Sequence, residues 1–154
     1  MARQKEKFSD HISVSNKQAR YNFEFIDQYL AGVVLEGTEI KSIRLGKMSF
    51  TDGYCFFDNG ELYARGIHIS PYLQASFKNH DPDRAKKLLL KKQELRKLEK
   101  RVNEKGLTIV PTKLFISSRG FAKVEIALAK GKKTFDKRDT IKEKDLKREM
   151  DRRS

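Results

Sequence analysis

Three strand-like stretches, a long helical one and two further strands, in that order, predict a mainly β domain with helices. This is the layout of an OB-fold-like Greek-key β-barrel, with the long helix between strands 3 and 4 and a short extra helix after strand 1. Two turn signals support the strand pairing. Asp58-Asn59-Gly60 holds the Asn-Gly pair of a tight type I′ hairpin, and Ser118-Arg119-Gly120 turns between the last two strands. No internal repeat competes with this reading.

Residues 1–12 are polar and basic and are expected to be a flexible N-terminus, with the barrel over 13–130 and a basic tail over 131–154. Residues 13–21 mix amide, cation and aromatic without a clear period. From Asn22 to Glu36 the odd positions Phe23, Phe25, Tyr29, Ala31, Val33 and Leu35 are apolar, a period-two strand in which Ile26 signals a bulge. Gly37-Thr38 breaks it, and Thr38 is expected to cap a short helix whose Ile40 and Ile43 face inward and which Gly46 ends. The second strand starts at Met48, with Met48, Phe50, Tyr54 and Phe56 on one face, and the third runs from Glu61 to Ile69.

Asp81-Pro82-Asp83 reads as a helix start, with Asp81 as cap, Pro82 in the first turn and Asp83 at the positive end of the dipole. The helix is expected to reach Gly106 and to span roughly 35 Å at 1.5 Å per residue. On a helical projection Ala85, Leu88, Leu95, Leu98 and Val102 share the packed side, while Lys86, Lys97, Lys100 and Arg101 lie opposite, with Leu90 among them. Strands over 107–117, where Pro111 suggests an edge or irregular start, and over 121–129 complete the barrel. In the latter Val124, Ile126 and Leu128 alternate with Lys123 and Glu125.

The balance of 34 Lys+Arg against 21 Asp+Glu gives a net charge of +13. A polyanion, nucleic acid first, is the expected partner. No apolar run approaches the roughly 18 residues that cross a bilayer, and the N-terminus lacks the apolar core of a signal peptide, so a cytoplasmic protein is expected. The single cysteine, Cys55, falls in a strand and is read as a small buried hydrophobe. Beyond Lys130 only Phe135, Ile141, Leu146 and Met150 are large and apolar, too few to offset the ordering entropy of that segment. It is rich in helix formers, with Glu143 to Lys147 and Glu149 to Arg153 at helical spacing, but has no continuous apolar stripe for docking on its own barrel. Such a tail is built to order against something else.

No catalytic set assembles: there is no Ser-His-Asp spacing, no glycine-rich phosphate loop and no paired Cys/His arrangement, so no enzyme activity, metal or other cofactor is expected. His80, Asp81 and Asp83 would pass for metal ligands of a nuclease, but helix capping accounts for two of them. RNA loops call for cations on phosphates, rings for stacking and amides for base edges. Asn16-Lys17-Gln18-Ala19-Arg20-Tyr21 has that mix, and so does Thr38-Glu39-Ile40-Lys41-Ser42-Ile43-Arg44, where Glu39 can accept from a base or a 2′-hydroxyl.

In order and spacing, Asn16-Lys17 with Ala19-Arg20, Ala31-Gly32, Gly37-Thr38-Glu39-Ile40-Lys41-Ser42, Ile69-Ser70-Pro71-Tyr72, His80-Asp81-Pro82, Lys87-Leu88-Leu89-Leu90, Lys105-Gly106-Leu107-Thr108-Ile109-Val110-Pro111, Ala129-Lys130-Gly131-Lys132-Lys133 and Asp136-Lys137-Arg138 resemble the bacterial SsrA-binding (small protein B) family over nearly the whole chain. The resemblance implies an OB-type barrel that binds the tRNA-like domain of transfer-messenger RNA and brings it to stalled ribosomes for trans-translation, with elongation factor Tu joining through the charged RNA. It assigns RNA contacts to Asn16, Lys17, Arg20, Thr38, Glu39, Lys41, Ser42, Lys87, Leu88 and Leu89, with Leu89 rather than Leu90 as the hydrophobic one. Tyr21 and Arg44 join them from the residue mix. Gly131, Lys132, Lys133, Phe135, Asp136, Lys137 and Arg138 would enter the 16S rRNA decoding centre, and the tail beyond would turn helical in the mRNA channel. Phe135 stands where relatives often have His, and Leu30 where many have Glu, so no acidic contact carries over to position 30. The alternative is a ribosomal or general OB-fold RNA-binding protein without preference for transfer-messenger RNA.

Overall fold

The computed structural model describes residues 12–75, 78–104 and 106–132. Its chain order is β1 (Ser13–Ser15), α1 (Lys17–Asn22), β2 (Phe23–Val33), α2 (Gly37–Arg44), β3 (Met48–Asp58), β4 (Glu61–Ile69), β5 (Lys86–Leu89), α3 (Lys92–Val102), β6 (Leu107–Ile116) and β7 (Ala122–Gly131). Six strands close antiparallel in the circuit β2, β7, β6, β3, β4, β5 and back to β2, and β1 adds to β6 outside it. Closure leaves the barrel strands without a free edge. The OB-like barrel expected from the sequence is present, with one strand more.

Two local signals work as their chemistry requires. Asn59 (φ 52°) and Gly60 (φ 77°) both take positive φ, the type I′ condition, and the hairpin pairs Asp58 with Glu61. In β2 the register against β7 shifts between Phe25 and Asp27, so Ile26 is the bulge. That extra residue re-aims the strand. Phe23 and Phe25 pack outside the barrel with Ala19, Val110, Ala127 and Ala129, under α1, whereas Tyr29, Ala31 and Val33 join the main core around Ile109, Leu114, Val124, Ile126 and Leu128.

The second strand departs from its expected facing. Its pairing with β4 slips between Phe50 and Tyr54, which turns Cys55 inward and leaves Tyr54 exposed. The slip is built on two glycines in contact: a Cβ on Gly66 (φ 82°) would lie 2.2 Å from the Cα of Gly53. Pro111 likewise sits inside β6 rather than at its edge, at a register shift against β7 and between the stretches of β6 that pair with β3 and β1.

The long helix over 81–106 is not there. Asp81 accepts from the backbone N–H of Asp83 in a turn, residues 86–89 form β5 between β4 and β2, and helix begins at Lys92. Lys86, expected on the solvent side, is fully buried, and Leu88 beside it in the alternation is buried while Leu89 is half exposed. Leu95, Leu98 and Val102 do pack on the core as projected, and Leu90 turns toward it too. The helix is also tied to β2 by Arg101 donating to Asp27 at 2.7 Å.

Candidate nucleic-acid interface

The predicted contact residues divide between the two ends of β2, which at about 3.3 Å per residue spans roughly 30 Å. At its N-terminal end sits α1. Asn16 caps that helix by accepting from the Ala19 N–H at 3.2 Å, donates to the Pro111 carbonyl at 2.8 Å, and is itself buried. It is therefore a bracket between α1 and β6, and it leaves Lys17 and Arg20 exposed with Tyr21 half-buried alongside. The end of β7 arrives at the same place, because the Lys132 N–H donates to the Asn22 carbonyl at 2.9 Å. Gly131 and Lys132 thus belong with α1. Lys133, Phe135, Asp136, Lys137 and Arg138 lie outside the described residues.

At the other end of β2, α2 and β5 meet. Lys41 is exposed, its ammonium 5.5 Å from the centre of the Tyr72 ring, a cation–π distance. Arg44 reaches the Gly120 carbonyl at 3.5 Å. Thr38 does not cap α2; Glu36 takes that position, and the Thr38 hydroxyl bonds His80 Nδ1 at 2.8 Å. The second nitrogen of His80 meets the Ile69 carbonyl at 2.9 Å, so this histidine is a buried connector rather than a ligand. No group of three or more His, Cys, Asp or Glu among the described residues is arranged to hold a metal.

Glu39 and Ser42 are fully buried, and with Leu88 at 2% exposure these three predicted contacts face inward. Glu39 accepts from Arg84 and from the Glu36 N–H at 2.7 Å, and Lys86 Nζ lies 3.8 Å away. The Lys86 ammonium donates to the carbonyls of Ile67 (2.8 Å) and Arg84 (2.6 Å). Burial holds its pKa below the ordinary lysine value in spite of Glu39. This charged knot ties α2 to β5 through Glu39 and Lys86, and Arg84 adds the Val34 carbonyl just past β2 at 3.2 Å. What it presents outward is Lys87, paired with Glu61 at 2.9 Å, and the half-exposed Leu89. The Glu61 carboxylate is held below its usual range by the Lys87 hydrogen bond and by Tyr63, and Lys87 is raised in turn by Glu61.

Sequence reasoning missed a cavity of about 510 Å³ beside α1, walled by Gln18 and Asn22, by the slipped stretch Thr51-Asp52-Gly53-Tyr54 of β3, and by Lys132. Gly53 inside an otherwise strand-like run was the available signal, for an interior glycine marks a bulge or a close approach. No helix among the described residues is long and apolar enough to cross a membrane.

Comparison with known proteins agrees with this fold. Residues 13–154 match the family described as SmpB protein. The chain is 57% identical over 141 residues to the SsrA-binding protein of Phocaeicola vulgatus, covering 92% of this chain and 94% of that one. It is 54% identical over 142 residues to the SsrA-binding protein of Cytophaga hutchinsonii, at 92% and 93% coverage. Among solved structures, a chain from "tmRNA-SmpB: a journey to the center of the bacterial ribosome" superposes with a TM-score of 0.68 at 47% identity, covering 80% of this chain and 86% of that one. The chain belongs to the SmpB protein family.

Proposed function

We propose that this protein is a non-enzymatic RNA-binding adaptor that holds the tRNA-like domain of transfer-messenger RNA and delivers it to stalled ribosomes for trans-translation. The observation that carries the reading is the pairing of family membership with a rigid barrel whose two cationic regions stand at opposite ends of one strand. Lys17 and Arg20 on α1, and Lys41, Arg44, Lys87 and Leu89 at the other end, meet RNA directly. Asn16, Glu39, Ser42 and Leu88 act through packing, by fixing the elements that carry those side chains.

Residues 131–154 form a second functional unit in this proposal. Gly131, Lys132, Lys133, Phe135, Asp136, Lys137 and Arg138 engage the decoding centre, and the remainder follows the mRNA channel. Elongation factor Tu joins through the aminoacylated RNA, without requiring a surface of this chain.

The test is deletion of residues 133–154, which leaves β7 and Lys132 whole. Affinity for transfer-messenger RNA is expected to stay within about threefold, while peptide tagging of stalled chains in a reconstituted translation system is lost. Tagging at the wild-type rate, or binding of bulk tRNA as tight as that of transfer-messenger RNA by the full chain, would overturn the reading.

A further inference from the structure

The cavity beside α1 has the makings of a base pocket, at a volume within the roughly 300–1,000 Å³ of small-ligand clefts. Its walls are held rigidly. Asn16 pins α1 to β6, and the contact of Gly66 on Gly53 fixes the β3 slip, where a Cβ on Gly53 would itself come within 3.0 Å of the Arg65 carbonyl and the Pro111 ring. Tyr54, 47% exposed, is backed by Phe56 with ring centres 6.0 Å apart, so its ring is positioned as a platform.

Three polar groups on the walls are unspent. Gln18 and Asn22 have no side-chain hydrogen bond and Asp52 no ion pair among the described residues. A lone carboxylate at the rim of a strongly basic protein is a discriminating group, because ionised Asp only accepts hydrogen bonds. Among the four RNA bases, guanine alone presents two adjacent N–H donors, N1 and N2, on its Watson–Crick edge. Adenine and cytosine set a ring-nitrogen acceptor beside their amino group, and uracil offers a single donor. Amide N–H groups from Gln18 or Asn22 suit the guanine O6. A neighbouring hollow of about 330 Å³ shares Phe23 and Lys132 with the cavity and adds Arg20, which supplies cationic reach to the phosphate on that side.

We propose that this cavity receives an unpaired guanine of the bound RNA, stacked on Tyr54, with its N1–H and N2–H donated to Asp52. The proposal rests on the RNA-binding reading above and adds a base-specific site to it.

The experiment uses the full chain and fluorescein-labelled pentanucleotides UUGUU, UUAUU and UUUUU in anisotropy titrations at one salt concentration. Wild type is expected to bind UUGUU about tenfold more tightly than the other two, the discrimination of one bidentate base contact. Asp52→Asn should reduce that preference below about twofold. Tyr54→Leu should weaken UUGUU about tenfold, the loss of one stacked base. Both side chains are exposed, so circular dichroism of the variants should match wild type. Equal binding of the three oligonucleotides, an undiminished preference in Asp52→Asn, or displacement of UUGUU by AMP as readily as by GMP would overturn the guanine pocket. Transfer-messenger RNA titrated in parallel separates the two readings: selective binding of that RNA without guanine preference overturns the pocket alone, whereas no selectivity over bulk tRNA overturns the adaptor function.

Discussion

Replacing Glu39 with Gln is the sharpest probe of how the α2 end of the proposed interface is built. The carboxylate is fully buried between Arg84, whose side chain is 30% exposed, and Lys86, which is wholly buried. Removing one partner of a buried charge pair costs about 3–5 kcal/mol, because the other charge is left uncompensated. Gln keeps an oxygen for Arg84 and the Glu36 N–H, and Lys86 keeps its two carbonyls, so the lower end, about 3 kcal/mol, is expected. That is a large share of the roughly 5–15 kcal/mol that holds a domain folded, but the variant should still fold. Urea denaturation followed by circular dichroism measures the loss, and transfer-messenger RNA binding by the folded variant should fall less than about threefold. A stability loss under about 1 kcal/mol combined with a large loss of RNA affinity would refute the reasoning and place Glu39 in contact with RNA.

Gly66→Ala should fail to fold or lose at least about 3 kcal/mol, because the positive φ and the 2.2 Å approach to Gly53 leave no place for a methyl group; thermal melting checks it. Lys41→Ala should weaken RNA binding and reduce the slope of log affinity against log salt by about 0.7–0.9, one phosphate contact, with an unchanged slope removing Lys41 from the interface. Lys86 has a folded-state pKa below its unfolded value, so its penalty is full at lower pH and is relieved as pH rises from the folded pKa toward 10.5. The stability of wild type relative to Lys86→Met should therefore increase over that window in urea titrations, and a difference that falls with pH would contradict the buried ammonium. Leu89→Ala should change stability by less than about 0.5 kcal/mol, its side chain being half exposed, while lowering RNA affinity measurably.

Where the chain states its geometry locally, the sequence can be read. Asn59-Gly60 demands a tight hairpin through backbone sterics alone, and Ile26 breaks an alternation that resumes on the other side of it. The misreading of residues 81–91 has an equally physical cause. Lys-Lys-Leu-Leu consists of residues a helix accepts, and Leu88, Leu95, Leu98 and Val102 satisfy a helical period even though the first of them belongs to a strand. β5 exists because β2 and β4 both pair with it, and such distant partners leave no mark on four residues. The same holds for Lys86: a lysine is read as exposed unless its anion is known, and Glu39 lies far back in the chain. Of the proposed interface, the exposed cations are legible as charge, whereas the burial of Glu39, Ser42 and Leu88 depends on partners that local sequence does not name.

The placement of β7 carries a mechanical meaning. This strand, the last among the described residues, is flanked on both sides, by β2 from Phe23 to Gly32 up to its final residue and by β6 from Leu107 to Ile116 up to Lys130. A pull applied at Lys132 along the strand axis loads two ladders of hydrogen bonds together in shear, so none is unzipped one at a time. The barrel is thus an anchor for tension applied at the end of that strand.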